Sequence, residues 1–483
     1  MLSLLAVPLY LRFLGVEAYG VVGIFVSLSA VVGLLDLGLG ATLTREMAKL
    51  PGGQAQPPQA RDIARTFELV YVGLAFIVGG LGALLAHPLA MFWVTVDTLS
   101  RSDVAQALLL GSVALACQWP GNLYGAGLAG LQKQVLLGGV TTVLGTVRVA
   151  LTLVAIWLAP SLQTFFWAQI VAAGVQSLVV RYLFWRALGC DGHPPVFRLD
   201  ALRDSLGFAG GMAGIALTSL IQTQADKFVL SKVLTLPEFG VYVLVGALAS
   251  GLYLAISPLF SVMYPRFTAL LQRNDLPSLA TQYHASSQLV ALLVVPATMI
   301  LVFFAKEVLY VWTGDQQLGL IGETVLIFLI LGNAFNGLVN MPYAIQLSIG
   351  RTKWVLGINV VSVTLLVPGV WWAATRYGAA GGAAVWAFLN LGYLIVLPAV
   401  THRLILSGEK KAWYLNAVVL PLVIGACVTL GFRLVDLTKM VRVEIALALF
   451  TYWAILTSTL AVAMPQIRVR AIRLIRKSVG LGE

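Results

Sequence analysis

The chain has 483 residues, 59% of them hydrophobic and 11% charged, with a mean hydropathy of +0.91. A soluble domain is about 45–50% apolar and about 25% charged, so the composition excludes a water-soluble fold and reads as a polytopic membrane protein. The net charge of +11 raises nucleic-acid binding, but an excess of Lys and Arg in cytoplasmic loops gives the same sum. Cys117, Cys190 and Cys427 share no metal or redox spacing and cannot build a disulfide framework. They read as small buried apolar residues. Met1 leads straight into an apolar stretch with no basic n-region and no Ala-x-Ala site, so no cleavable signal is visible.

A crossing helix needs about 20 mostly apolar residues. Fourteen candidates follow one another, near 1–14, 18–43, 66–94, 104–129, 135–159, 162–188, 205–231, 239–264, 286–312, 321–349, 354–375, 378–401, 413–432 and 443–464. The longest gap, 43–66, holds "PGGQAQPPQ" (51–59), whose Pro and Gly content predicts no helix. No gap is large enough for a soluble domain. With the first end in the cytoplasm and sides alternating, 21 of the 31 Lys and Arg fall inside, nine outside, and Arg148 within a span. That bias predicts both termini cytoplasmic and accounts for the charge without nucleic acid. The tail "PQIRVRAIRLIRKSVG" (465–480) alternates basic and apolar residues, as an interfacial anchor helix would.

"LRFLGVEAYGVV" (11–22) resembles "SKVLTLPEFGVY" (231–242), and "GLQKQVLLGGV" (130–140) resembles "GRTKWVLGINV" (350–360). Both matches have an offset of 220. The constant offset predicts an all-α fold of two parallel-repeat six-helix lobes around a central cavity. The lobes are 1–190 and 200–406, with two extra helices over 410–464 and a basic amphipathic tail over 465–483. Such folds move by rocking one lobe against the other. In the first copy only eleven residues precede Arg12, too few to span, which predicts a native start upstream of Met1. Glycine runs such as "GFAGGMAG" (207–214) have the small-xxx-small spacing of close helix contact.

Charges inside spans usually face a bundle interior or a wet cavity. Asp36 precedes Arg45 by nine residues, about 13 Å of helix, and Arg148 follows Lys133 by fifteen, about 22 Å. Asp226 and Lys227 sit near the outer end of the seventh span. Two readings stay open. In one, Arg148 and Asp226 form a structural ion pair and Asp36 caps a helix broken at "DLGLG". In the other, Arg148 contacts an anion in a wet cavity, and Asp36 or Asp226 binds a proton or cation. Arg12 pairs with Lys232 through the repeat, and Arg45 pairs with Arg266 after one insertion. A symmetric basic set suits an anionic substrate, because Arg grips phosphate oxygens bidentately. Ordinary headgroup snorkelling is the plainer reading. His87, His193, His284 and His402 are scattered, and nothing marks them as ligands. No ATP-binding loop, metalloenzyme spacing, nucleophile elbow or dinucleotide fingerprint occurs. Energy for any transport must therefore come from an ion gradient, the membrane potential or the substrate's own gradient.

"VPLYLRFLGVEAYGVVGIF" (7–25), "LLDLGLGATLTREMAKL" (34–50) and "LTSLIQTQADKFVLSKVLTLPEFGVYVLVGAL" (217–248) resemble the oligosaccharide-flippase group of polysaccharide biosynthesis proteins. This is the O-antigen translocase type of the multidrug/oligosaccharidyl-lipid/polysaccharide exporter superfamily. The likeness extends over essentially the whole chain. It implies a non-enzymatic bacterial inner-membrane transporter without cofactor. Its cargo would be undecaprenyl-pyrophosphate-linked oligosaccharide, moved from the cytoplasmic to the periplasmic leaflet by alternating access, with possible H⁺ or Na⁺ coupling. Partners implied are the lipid-linked oligosaccharide, membrane lipids, and the glycosyltransferases and polymerase of the same pathway. Related lipid flippases line their cavity with arginines on the first, second and eighth helices, which implies that role for Arg12, Arg45 and Arg266. Two alternatives are a multidrug/cation antiporter of the same superfamily and a membrane polysaccharide polymerase or ligase. The basic set argues against the first and the short outer connections against the second.

Overall fold

Long apolar runs with no ladder partner satisfy their backbone by coiling, since lipid offers no hydrogen bonds. The computed structural model describes residues 2–34, 38–50, 57–189, 194–349 and 352–469. Among these the regular structure is helical, apart from one isolated bridge between Thr95 and Thr235. Eleven helices are long and apolar enough to cross a membrane, and Leu4–Leu14 and Leu236–Ser250 are shorter apolar helices. One of the eleven, Gly357–Leu404, is broken at Gly378, whose φ of 61° suits glycine. The chain divides into two compact units, Met1–Val243 and Leu244–Glu483.

The first unit holds α1 (Leu2–Leu14), α2 (Val16–Leu34), α3 (Leu39–Ala48), α4 (Pro57–Pro88), α5 (Arg101–Gly130), α6 (Gln134–Leu158), α7 (Leu162–Leu188) and α8 (Leu199–Val233). It also takes the start of α9 (Leu236–Ser250). Gly15, with φ +85°, breaks the chain between α1 and α2. The expected single span over 18–43 is two helices, and Gly38 (φ +76°) is the N-cap of α3. Of the stretch 51–59 expected to be non-helical, residues 57–59 are helical, and 51–56 lie outside the described residues. Pro57 and Pro58 enter the first turn of α4, where a missing N–H costs nothing. α5 is the central helix and packs on α2, α3, α4 and α7, while α6 lies between α1 and α7. Tyr71, Trp119, Tyr124 and Phe184 fill the interior around α5. Phe76, Leu84, Phe92 and Trp157 are exposed, as side chains facing lipid are. Cys427 is exposed too, against the expectation of burial, and Cys117 is half-buried.

Two glycines of the repeat meet where α2 crosses α9. A Cβ on Gly20 would lie 2.6 Å from the carbonyl oxygen of Leu236, and one on Gly240 would overlap the carbonyl oxygen of Val16. Position 20 and position 240 are 220 apart, as are Val16 and Leu236. Glycine is needed on both sides because the neighbour is backbone and cannot move aside.

The second unit holds the rest of α9, α10 (Leu252–Gln272), α11 (Leu276–Phe303), α12 (Ala305–Thr313), α13 (Gln316–Leu338) and α14 (Asn340–Ser348). Then come α15 (Thr352–Leu404), α16 (Lys410–Trp413), α17 (Leu420–Phe432) and α18 (Arg442–Ala463). α16 and α17 are joined through a π-helical turn, Tyr414–Val419. The expected spans 239–264, 286–312 and 321–349 are each two helices, divided near Gly251, Phe304 and Val339. Helix starts recur down the chain at close to the sequence offset. α2 and α9 start at 16 and 236, α4 and α11 at 57 and 276, and α6 and α15 at 134 and 352. The basic tail beyond residue 469 lies outside the described residues.

Candidate functional site

α6 carries Arg148 into the interior of the first unit, and three other helices meet it there. Its Nε donates to Oε1 of Gln169 on α7 at 2.5 Å, and its Nη1 donates to Oε1 of Gln118 on α5 at 3.3 Å. Gln169 is buried, and its Nε2 donates to Oγ1 of Thr152 at 3.0 Å. Thr152 lies one turn further along α6 and donates to the carbonyl oxygen of Arg148 at 2.8 Å. Tyr10 of α1 lies within electrostatic reach. These partners are all neutral. Among the described residues no carboxylate stands within ion-pair distance of Arg148. The direction of each bond is fixed. A guanidinium only donates, so Gln169 turns its oxygen to Arg148, and its amide nitrogen must face Thr152.

A bare cation in a membrane interior is costly, and neutral acceptors lower that cost without cancelling the charge. Only part of the guanidinium fork is committed to Gln118 and Gln169, and the remaining N–H donors stay open to an anion's oxygens. This arrangement can hold a phosphate-like or carboxylate group edge-on.

The Arg148–Asp226 ion pair, one of the two readings left open by the sequence, is not formed among the described residues. Asp226, on α8, accepts from the Tyr242 hydroxyl at 2.6 Å through Oδ2. Tyr242 is buried one helix away on α9 and reaches the acid first. The Oδ1 of Asp226 is buried with no hydrogen-bond partner. Asp36 lies outside the described residues. Arg45 is half-exposed and binds Oε1 of Glu46 through Nε and Nη2, at 3.2 and 3.0 Å, while Lys49 takes Oε2 at 2.5 Å. Burial pushes the Glu46 carboxyl up, but Lys49 and Arg45 outweigh it and hold the group below its ordinary value. Arg12, in the last turn of α1, is exposed, and so is Arg266 on α10 of the second unit. No hydrogen bond or ion pair links Arg12, Arg148 and Asp226 to one another among the described residues.

Sequence reasoning missed a buried acid of the first unit that accepts four hydrogen bonds. Glu68 on α4 is 3% exposed. Its Oε1 accepts from Arg181 Nε at 2.6 Å, from the Tyr124 hydroxyl at 2.7 Å and from Trp185 Nε1 at 3.4 Å. Its Oε2 accepts from Arg65 Nη1 at 2.6 Å. The Arg65–Glu68 spacing of i,i+3 was visible, but Arg181 is 113 residues away. Glu17 was missed too. Its carboxylate accepts from the backbone N–H groups of Asp97, Thr98 and Leu99 and from the Thr98 hydroxyl. It thereby fixes the connection between α4 and α5.

The family model for polysaccharide biosynthesis proteins matches residues 9–321. The chain belongs to that family. The "Putative O-antigen transporter" of Shigella flexneri is 19% identical over 388 residues, which are 80% of this chain and 90% of that one. The solved structure "Lipid II flippase MurJ, inward closed conformation" superposes with a TM-score of 0.71 at 12% identity, over 95% of this chain and 96% of the other. An inward-facing multidrug resistance MATE family transporter of the MOP superfamily superposes with a TM-score of 0.67 at 15% identity, over 86% and 95%. Identities this low speak to the fold alone. The chain is therefore a multi-pass membrane protein of the polysaccharide biosynthesis family, with the helical fold shared by these transporters.

Proposed function

We propose that this chain flips an undecaprenyl-pyrophosphate-linked oligosaccharide from the cytoplasmic to the periplasmic leaflet, for O-antigen or other cell-surface polysaccharide. The observation that carries the reading is Arg148, a guanidinium inside the first unit whose described partners are all neutral. Family membership and the O-antigen relative support the glycan. The pyrophosphate is the anion that an uncancelled guanidinium suits, with the polyprenyl tail left in lipid and the sugars in a wet cavity. The exposed guanidinium groups of Arg12 and Arg45, both in the first unit, are further proposed contacts. The cycle is alternating access, with no bond made or broken in the cargo.

Asp226 is the acid proposed to couple the reset to H⁺ or Na⁺, because its buried Oδ1 is open while Tyr242 holds Oδ2. Asp36 is the second candidate. The charge bias of the connections supports cytoplasmic termini, and the proposed setting is a bacterial inner membrane, beside the glycosyltransferases and polymerase of the pathway. A multidrug/cation antiporter is the rival reading, and a cationic drug would be repelled by Arg148.

Deleting the gene tests the function. Lipid-linked oligosaccharide should accumulate facing the cytoplasm, and unchanged delivery to the periplasm would reject the reading. Arg148→Ala at matched protein level should lower delivery by at least about tenfold, the loss expected from removing one charge-assisted contact of ~1.4 kcal/mol or more. Resistance to cationic drugs that depends on the chain would favour the antiporter instead.

A further inference from the structure

We infer that Gln169, helped by Gln118, is a positioning residue whose task is to hold the Arg148 side chain without neutralising it. The inference rests on the anion-contact reading of Arg148 given above. A buried arginine kept only for packing is best served by a carboxylate, which returns part of the desolvation cost through charge. Here two helices each offer a side chain of the right length to Arg148, and both offer an amide. Glutamate is the same shape as glutamine and would reach Nε equally well. The neutral choice thus costs stability and preserves positive charge.

The geometry sets the arginine as well as sparing it. Gln169 is locked at both ends. Its Oε1 faces the guanidinium, and its Nε2 faces Thr152, whose own hydrogen goes to the Arg148 carbonyl. This closed ring leaves the amide one orientation and ties the head of the arginine to its own backbone. The rotamer is held on the Nε edge, so the uncommitted donors present a fixed face. A preset face is worth more to a diffusing anion than a mobile one, because less rotamer entropy is lost on binding.

Two anions could meet that face, the pyrophosphate of the carrier or an acidic sugar of the glycan. Both are oxyanions, and the test separates them. The experiment uses the full-length chain with Gln169→Glu, Gln118→Glu, Gln169→Leu and Arg148→Ala. Glycan delivery is followed at matched protein level, and thermal unfolding is followed on the purified protein. Gln169→Glu should unfold at or above the wild-type temperature while delivery falls about tenfold. Gln118→Glu should do the same with a smaller loss, since its bond is longer. Gln169→Leu should lower both readouts. Inorganic pyrophosphate should raise the unfolding temperature of the wild type and not of Gln169→Glu. If glucuronate does so and pyrophosphate does not, the anion is the sugar's.

A folded Gln169→Glu that delivers glycan at the wild-type rate overturns the inference. If Arg148→Ala still fails in that case, the anion contact survives and only the charge-sparing role is lost. If Arg148→Ala itself delivers normally, the underlying reading falls and takes this one with it. Should glutamate at 169 prevent folding, Gln118→Glu decides the same question from a half-buried position.

Discussion

The two units solve the same problem with different chemistry. Both bury polar side chains between apolar helices, and the first does it with ions. Glu68 gathers Arg65, Arg181, Tyr124 and Trp185, Glu17 gathers three backbone amides, and Arg148 stands among amides. The second unit does much of it with neutral groups, beside the His284–Glu409 contact at 2.8 Å. Tyr253 donates to Asn336 at 3.1 Å, Asn336 donates to Asn390 at 2.8 Å, and Asn390 donates to the Trp386 carbonyl at 2.8 Å. Trp386 in turn reaches Asn333 at 2.9 Å. Gln346 bridges the Leu397 carbonyl and Thr401, both at 2.9 Å. The repeat makes the contrast direct. At the offset of 220, Glu68 becomes Gln288, Arg181 becomes Thr401, Tyr124 becomes Ala344 and Arg148 becomes Pro368. At these four positions the second unit carries no charge. An amide network frames a helix bundle at lower desolvation cost, so frame stability alone does not explain the ions.

That contrast can be broken at equivalent positions. Glu68→Ala should cost the most, about 3 kcal/mol, by stranding the buried Tyr124 hydroxyl and two arginines. The value sits at the low end because both guanidinium groups keep solvent access. Thermal unfolding of the purified protein checks it, and a loss under about 1 kcal/mol would mean that the carboxylate is not the hub. Gly240→Ala should cost about 2 kcal/mol through overlap with the Val16 backbone. If its stability is unchanged, the α2–α9 crossing is looser than drawn. In the second unit, Asn390→Leu should cost about 1 kcal/mol, and glycan delivery should follow protein level and nothing more. Delivery lost at full protein level would place cargo contacts in the second unit as well. Gln288→Ala, the counterpart of the first substitution, removes the acceptor of the Gln466 backbone N–H, which lies at 2.9 Å. It should cost about 0.5–1 kcal/mol. Equal losses at Glu68 and Gln288 would erase the distinction between the units.

Much of this was legible in the sequence, and the physical reason is periodicity. Helix ends announced by Gly, Pro and charge were visible, so the expected span at 162–188 coincides with α7, and 135–159 lies within a residue of α6. That Arg148 lies inside a helix followed from the bounds of the span. Breaks without a strong marker were not visible. Phe304 and Val339 each end a helix inside runs that read as one continuous span. Partners were the least legible. Asp226 took Tyr242 in place of Arg148, and Gln118 and Gln169 carried no signal, because an uncharged amide in an apolar alphabet looks like filler until three helices converge on it.

The Glu17 carboxylate has a consequence for how the protein exchanges with water. Three successive amide protons, at Asp97, Thr98 and Leu99, end on its two oxygens. A connecting segment normally gives up its amide protons fastest. Here those three should exchange in deuterium on the slow timescale of the flanking helices, while their neighbours exchange at once. The short segment between α4 and α5 would then behave as a continuation of the helical scaffold, and a single carboxylate would be the reason.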